Sequence, residues 1–215
     1  VARIPGHTGE LRCFHHDGNY VIRVDGIELM STRVHGSEEQ LAELALQRLG
    51  PRPGARVLVG GLGMGFTLAR ALELVDNDAI VTVAELVPEV VTWNRELFAE
   101  HARHPLRDPR TRLVVGDVGR VLAAGSGAFD AVLLDVDNGP EGLSRPANSS
   151  LYDELGLDQA RTALRPGGVL AIWSSWPAPT FTSRLRRSGF DVAEHRVRAR
   201  RTKGPRRTIW VGARR

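Results

Sequence analysis

Glu85, Asp117 and Asp135 each close a short apolar run, in "IVTVAE", "RLVVGD" and "AVLLD". A fourth run, "RVLVGG", opens into Gly61, Gly63 and Gly65, spaced G-x-G-x-G ahead of a helical pattern. Glycines there permit positive φ and let a ligand approach the main chain, while the helix that follows offers free N–H groups. A carboxylate at the Glu85 position can accept both hydroxyls of a ribose. Asp117, with Val118 beside it, can meet an adenine amino group, and Asp135 can take a proton from a nucleophile. Each group alone has an ordinary alternative: a tight turn, a solvated acid, or a helix cap, which Asp117 is well placed to be for "VGRVL". Four consecutive strand ends carrying suitable groups together describe an adenosine pocket.

The glycine loop also excludes ligands. A dinucleotide fingerprint wants G-x-G-x-x-G, and Phe66 stands at the last position; no G-x-x-x-x-G-K-[ST] occurs. G-x-G-x-G followed by an acid is instead the pattern of S-adenosylmethionine enzymes. Beyond Asp135, Asp137 and Asn138 can orient a nucleophile, although Asp137-Asn138-Gly139-Pro140 equally suits a plain turn. Tyr152 and Trp173, the latter with Ser174 and Trp176 beside it, can wall an acceptor pocket or simply close the core. His35, Glu38 and Glu39 read as a solvated helix start. His15, His16, His101 and His104 have no metal-binding spacing, so no metal is expected.

The elements that must position these groups alternate. Short strands are expected between 11 and 30, with turns at Asp17-Gly18-Asn19 and Asp25-Gly26. Ser37 reads as the N-cap of a helix through "QLAELALQRL". Strands at 57–59, 80–84, 112–115, 131–134 and 169–173 are separated by helices at 67–74, 88–100 and within "YDELGLDQARTALRPGG". A last helix at 181–189 precedes a closing strand pair. In that pair Val197, Ala199, Ile209 and Val211 face inward, and the turn is expected at Lys203-Gly204-Pro205. This is an α/β fold with a parallel sheet covered on both faces, and its ligand belongs at the carboxyl ends of the strands. We expect a β-strand segment at 1–36 and the nucleoside-binding domain at 37–215.

Composition fits that picture. The 215 residues are 42% apolar and 25% charged, ordinary for a soluble globular domain. No stretch suits a membrane helix and no secretory signal pattern opens the sequence; with Cys13 as the one cysteine, a cytoplasmic protein is expected. Net charge is +4, with arginines crowding the C-terminus. That run can attract phosphates, but its apolar alternation reads better as a solvated strand pair, so nucleic acid is not the expected partner.

Taken together, these segments resemble the spermidine synthase family within the class I methyltransferase fold. "VDGIELMS" is similar to its strand segment, "VLVGGLGMG" to its glycine loop and "AELVPEVV" to its ribose-binding strand end. "DPRTRLVVGD" resembles its adenine segment, and "FDAVLLDVDNGP" its D-x-x-D-P catalytic loop. The resemblance implies a mostly parallel seven-stranded sheet, an adenosyl sulfonium co-substrate, Asp135 and Asp137 as catalytic acids, and a homodimer. It also exposes departures. Where the family's loop carries an aspartate for the donor's ammonium stands Gly63, which removes an acid that would repel S-adenosylmethionine and opens room for its carboxylate. Asp135 and Asp137 are two apart rather than three, and "RVHGSEEQL" replaces a Tyr-His-Glu segment. The first expectation is therefore methyl transfer from S-adenosylmethionine to a small molecule. The alternative is a polyamine aminopropyltransferase using decarboxylated S-adenosylmethionine. A third is a non-catalytic adenosine- or nucleic-acid-binding protein.

Overall fold

The computed structural model describes residues 1–5, 9–136, 139–140 and 150–215. The first strands are β1 (Ala2–Arg3), β2 (Glu10–His16), β3 (Asn19–Val24) and β4 (Ile27–Ser31), paired in that order as an antiparallel sheet. Its two tight turns place Asp17-Gly18 and Asp25-Gly26 at positive φ, which matches the twist of the flanking strands.

Helix α1 (Gly36–Leu49) follows, and then β5 (Arg56–Gly60), α2 (Phe66–Leu74), β6 (Ile80–Glu85) and α3 (Pro88–Glu96). The second half holds β7 (Thr111–Val115), α4 (Val118–Ala124), β8 (Phe129–Leu134), α5 (Glu154–Ala163) and β9 (Leu164–Ser174). It closes with α6 (Phe181–Arg187), β10 (Phe190–Arg200) and β11 (Lys203–Arg214). The seven-stranded sheet runs β10-β11-β9-β8-β5-β6-β7, with β5 to β9 parallel and β11 antiparallel to both of its neighbours. The fold is the Rossmann-like class I methyltransferase arrangement.

One core packs Leu41, Ala42 and Ala45 of α1 and Leu68 of α2 against Val57, Val59, Val83 and Val211. The opposite face buries Leu122, Leu157, Phe181 and Trp210 against Leu58, Val132 and Ile172. A third cluster joins Leu11, Ile22 and Val24 of the small sheet to Met64, Phe66, Val90 and Phe98, so the N-terminal strands roof the glycine loop. Among the described residues no helix is long and apolar enough to cross a membrane.

Two local expectations give way. Ser37 does not cap α1: the helix begins at Gly36, two residues earlier than that cap would give, His35 precedes it, and the Ser37 hydroxyl donates to Glu38 Oε2 at 2.6 Å. The closing hairpin turns at Arg201-Thr202 rather than at Lys203-Gly204-Pro205, with Arg201 at φ +58° and its guanidinium against Glu39 (2.8 Å) and Glu43 (2.7 Å).

Candidate functional site

The carboxyl ends of β5, β6 and β8 lie side by side, with Gly60 opposite both Ala84 and Leu134. Crowding there explains Gly61. Its φ is +87°, and a Cβ would lie 2.3 Å from the carbonyl oxygen of Asp135, so no larger residue fits between β5 and β8.

A cleft opens over these ends, lined by Gly61, Gly63, Glu85, Asp117, Val118, Asp135 and Trp173, with Met30 and Glu38 above them. Gly65 stands one turn away as the residue before α2, at φ +89° and against Asn94. Asn94 on α3 donates to the carbonyls of Gly63 (2.6 Å) and Val90 (3.1 Å), fixing the loop from beneath.

Glu85 is buried, and each oxygen takes a main-chain proton: Oε2 from Leu62 and Oε1 from Val87, both at 2.9 Å. Burial raises its pKa in spite of those bonds. Asp117 caps α4, accepting the Gly119 N–H at 2.6 Å, while still lining the cleft.

Asp135 follows β8 and receives the Thr67 hydroxyl on Oδ2 at 2.6 Å. Desolvation raises its pKa to about 6, against the lowering effect of that bond. Glu38 is the residue the sequence reading placed wrongly. It is not a solvated helix-start acid; it lines the same cleft as Asp135 and feels its charge. Burial first, then repulsion from Asp135, pushes it up to about 7, while the Ser37 hydroxyl and distant Arg207 pull the other way. Glu39 turns outward, 2.9 Å from His35 Nδ1, and the His35 ring stacks on Phe66 at 3.9 Å.

Two other candidates sit elsewhere. Tyr152 is buried in the second core, where its hydroxyl donates to the carbonyl of Val136 at 3.2 Å; it is not among the residues lining the cleft. Trp176 is exposed. Asp137 and Asn138 lie outside the described residues.

Beside Gly63, a Cβ would meet only Met30, in ordinary van der Waals contact at 3.4 Å from Sδ, so the positive φ of +51° rather than crowding is what favours glycine there. Among the described residues, no cluster of His, Cys, Asp or Glu is arranged to hold a metal ion.

A family model, spermine/spermidine synthase domain, matches residues 35–181. Two solved structures each share 18% identity and a TM-score of 0.76, over 97% of this chain and 70% of theirs. They are a spermidine synthase in complex with the transition-state analogue AdoDATO and the spermidine synthase of Thermotoga maritima. A probable spermidine synthase from Corynebacterium glutamicum ATCC 13032 has a TM-score of 0.66 and 15% identity, over 96% of this chain and 77% of its own. No curated protein matches by sequence. The structural likeness establishes the fold, and the family model spans well over half of the sequence. The chain belongs to the spermine/spermidine synthase domain family, whose members are transferases using S-adenosylmethionine-type substrates.

Proposed function

We propose that the protein transfers an aminopropyl group from decarboxylated S-adenosylmethionine to an amine. One observation carries this reading: four carboxylates, Glu38, Glu85, Asp117 and Asp135, line the cleft, and none of its described lining residues is Lys, Arg or His. A sulfonium with an ammonium arm suits such a wall, whereas the carboxylate of S-adenosylmethionine finds no cationic side chain among these lining residues. The spermidine synthases among the structural relatives support the same direction.

In this reading Glu85 accepts the ribose hydroxyls, Asp117 and Val118 face the adenine, and Gly61 and Gly63 let the donor approach the main chain, while Gly65, packed against Asn94, serves the turn into α2. Asp135, assisted by Asp137, accepts a proton from the acceptor ammonium. The freed amine attacks the carbon next to sulfur, the C–S pair returns to sulfur, and methylthioadenosine leaves as a neutral thioether. Alignment of nitrogen, carbon and sulfur supplies most of the acceleration. Asn138 and Trp173 belong to the acceptor side.

Methyl transfer is the second reading. Gly63 favours it by bringing no loop acid to repel a carboxylate, yet none of the described lining residues offers that carboxylate a cationic side chain. Calorimetric titration with decarboxylated S-adenosylmethionine, S-adenosylmethionine and methylthioadenosine separates the two. We expect tightest binding of the decarboxylated donor; preference for the carboxylated one restores methyl transfer. A homodimer through the N-terminal sheet, where Phe14 and Ile27 are exposed, is part of this proposal and is tested by sedimentation.

A further inference from the structure

The glycine loop has no acid to meet a donor ammonium, but the cleft contains a carboxylate that enters from another element. Glu38 sits in the first turn of α1 and shares the cleft with Asp135. Thr67, in the first turn of α2, bridges the two residues: its hydroxyl oxygen lies 2.6 Å from Asp135 Oδ2 and 3.3 Å from the Glu38 carbonyl oxygen. Glu38, Gly63 and Asp135 line the same cleft, and this contact ties the main chain of Glu38 to the helix that follows the glycine loop.

We propose that Glu38 is the donor-specificity residue of this site, binding the primary ammonium of the aminopropyl arm in place of a glycine-loop acid.

The surroundings suit that role. Ser37 donates to Oε2 at 2.6 Å and so fixes the carboxyl rather than capping the helix. The start of α1 is itself clamped: a Cβ on Gly36 would meet the Arg201 main chain at 2.8 Å, and Gln40 donates to the Gly36 carbonyl at 2.8 Å. The cation felt by Glu38 is Arg207, a half-buried side chain whose guanidinium lies 5.6 Å from the centre of the Trp173 ring. Arg207 is not among the described residues that line the cleft, so within it Glu38 and Asp135 meet no cationic side chain, and the donor's ammonium supplies one. Burial raises the pKa of both acids, and at Glu38 repulsion from Asp135 adds to it.

The inference rests on the aminopropyl-transfer reading, and its test separates the two. The isosteric variant Glu38→Gln and the unaltered protein are titrated with decarboxylated S-adenosylmethionine and with methylthioadenosine, which lacks the ammonium arm. We expect E38Q to bind the decarboxylated donor roughly 10- to 100-fold more weakly and to bind methylthioadenosine as before, which also shows that its nucleoside site is folded. Equal weakening of both ligands, or no change in either, overturns the role of Glu38 while leaving the function intact. A rise in acceptor KM without loss of donor affinity overturns it as well. Preference of the unaltered protein for the carboxylated donor overturns the function itself.

Discussion

The Thr67 hydroxyl has one proton and two oxygens in reach, Asp135 Oδ2 and the Glu38 carbonyl. While Asp135 is ionised the proton serves it, and this lowers the pKa that desolvation has raised. Replacing Thr67 with Val keeps the shape and removes the donor, so the Asp135 pKa must rise further. The acidic limb of the kcat/KM profile is then expected to move to higher pH, with activity above that limb largely retained; a pH–rate series reads this directly. Asp135→Asn removes the base altogether. We expect kcat to fall by about 10²- to 10⁴-fold while methylthioadenosine still binds, measured by steady-state kinetics beside calorimetry.

At the scale of elements, the two ends of the sheet divide the labour. The carboxyl end gives up main-chain space to the ligand, and Gly61 is where it does so. Gly61→Ala places a Cβ against the Asp135 carbonyl at positive φ and is expected to cost about 2–4 kcal/mol in denaturant unfolding. The opposite end is stapled. Asp130, buried near the start of β8, takes Arg52 at 3.0 Å, Arg165 at 2.9 Å and the Arg56 N–H at 2.8 Å. Burial acts to raise its pKa, and these partners together hold it below the usual carboxylate range. Asp130→Asn is expected to cost about 2–4 kcal/mol while leaving donor affinity unchanged, since none of these residues lines the cleft. Strand ends were legible because parallel strands are short apolar runs, each closed by a polar or glycine residue, and β7 keeps the pattern although Val114 and Val115 are exposed. Helix ends and buried acids were harder to read. The helix after Pro88 was expected to reach residue 100 and ends at Glu96, where the N–H groups of both Leu97 and Phe98 turn to the Trp93 carbonyl. Glu38 did leave a signal: it shares the helical face of Leu41, Ala42 and Ala45, all buried, and an acid on that stripe has to face a cavity or a partner.

For the molecule as a whole, the cleft trades stability for a charge it can offer a ligand. Glu38 and Asp135 rise from 4.5 and 3.8 to about 7 and about 6, so between those limits the folded chain binds more protons than the unfolded one. Their contribution to stability is therefore greatest below the unfolded values and is lost as pH climbs through the folded ones. Asp130 and Asp108 work in the opposite sense, with depressed values whose stabilisation disappears on acidification. The ligand-free protein should thus gain relative stability when E38Q removes one of the raised acids, by roughly 1–3 kcal/mol at pH 8 and by little at pH 5. A cationic donor reverses the balance, because it binds the ionised pair and returns what desolvation removed. Its thermal shift is expected to grow from pH 5.5 to pH 8 in the unaltered protein and to flatten in E38Q. Melting curves of the unaltered protein and of E38Q at pH 5, 5.5 and 8, with and without the decarboxylated donor, check both expectations. A shift independent of pH in the unaltered protein would mean that the acidic pair does not meet the ligand's charge.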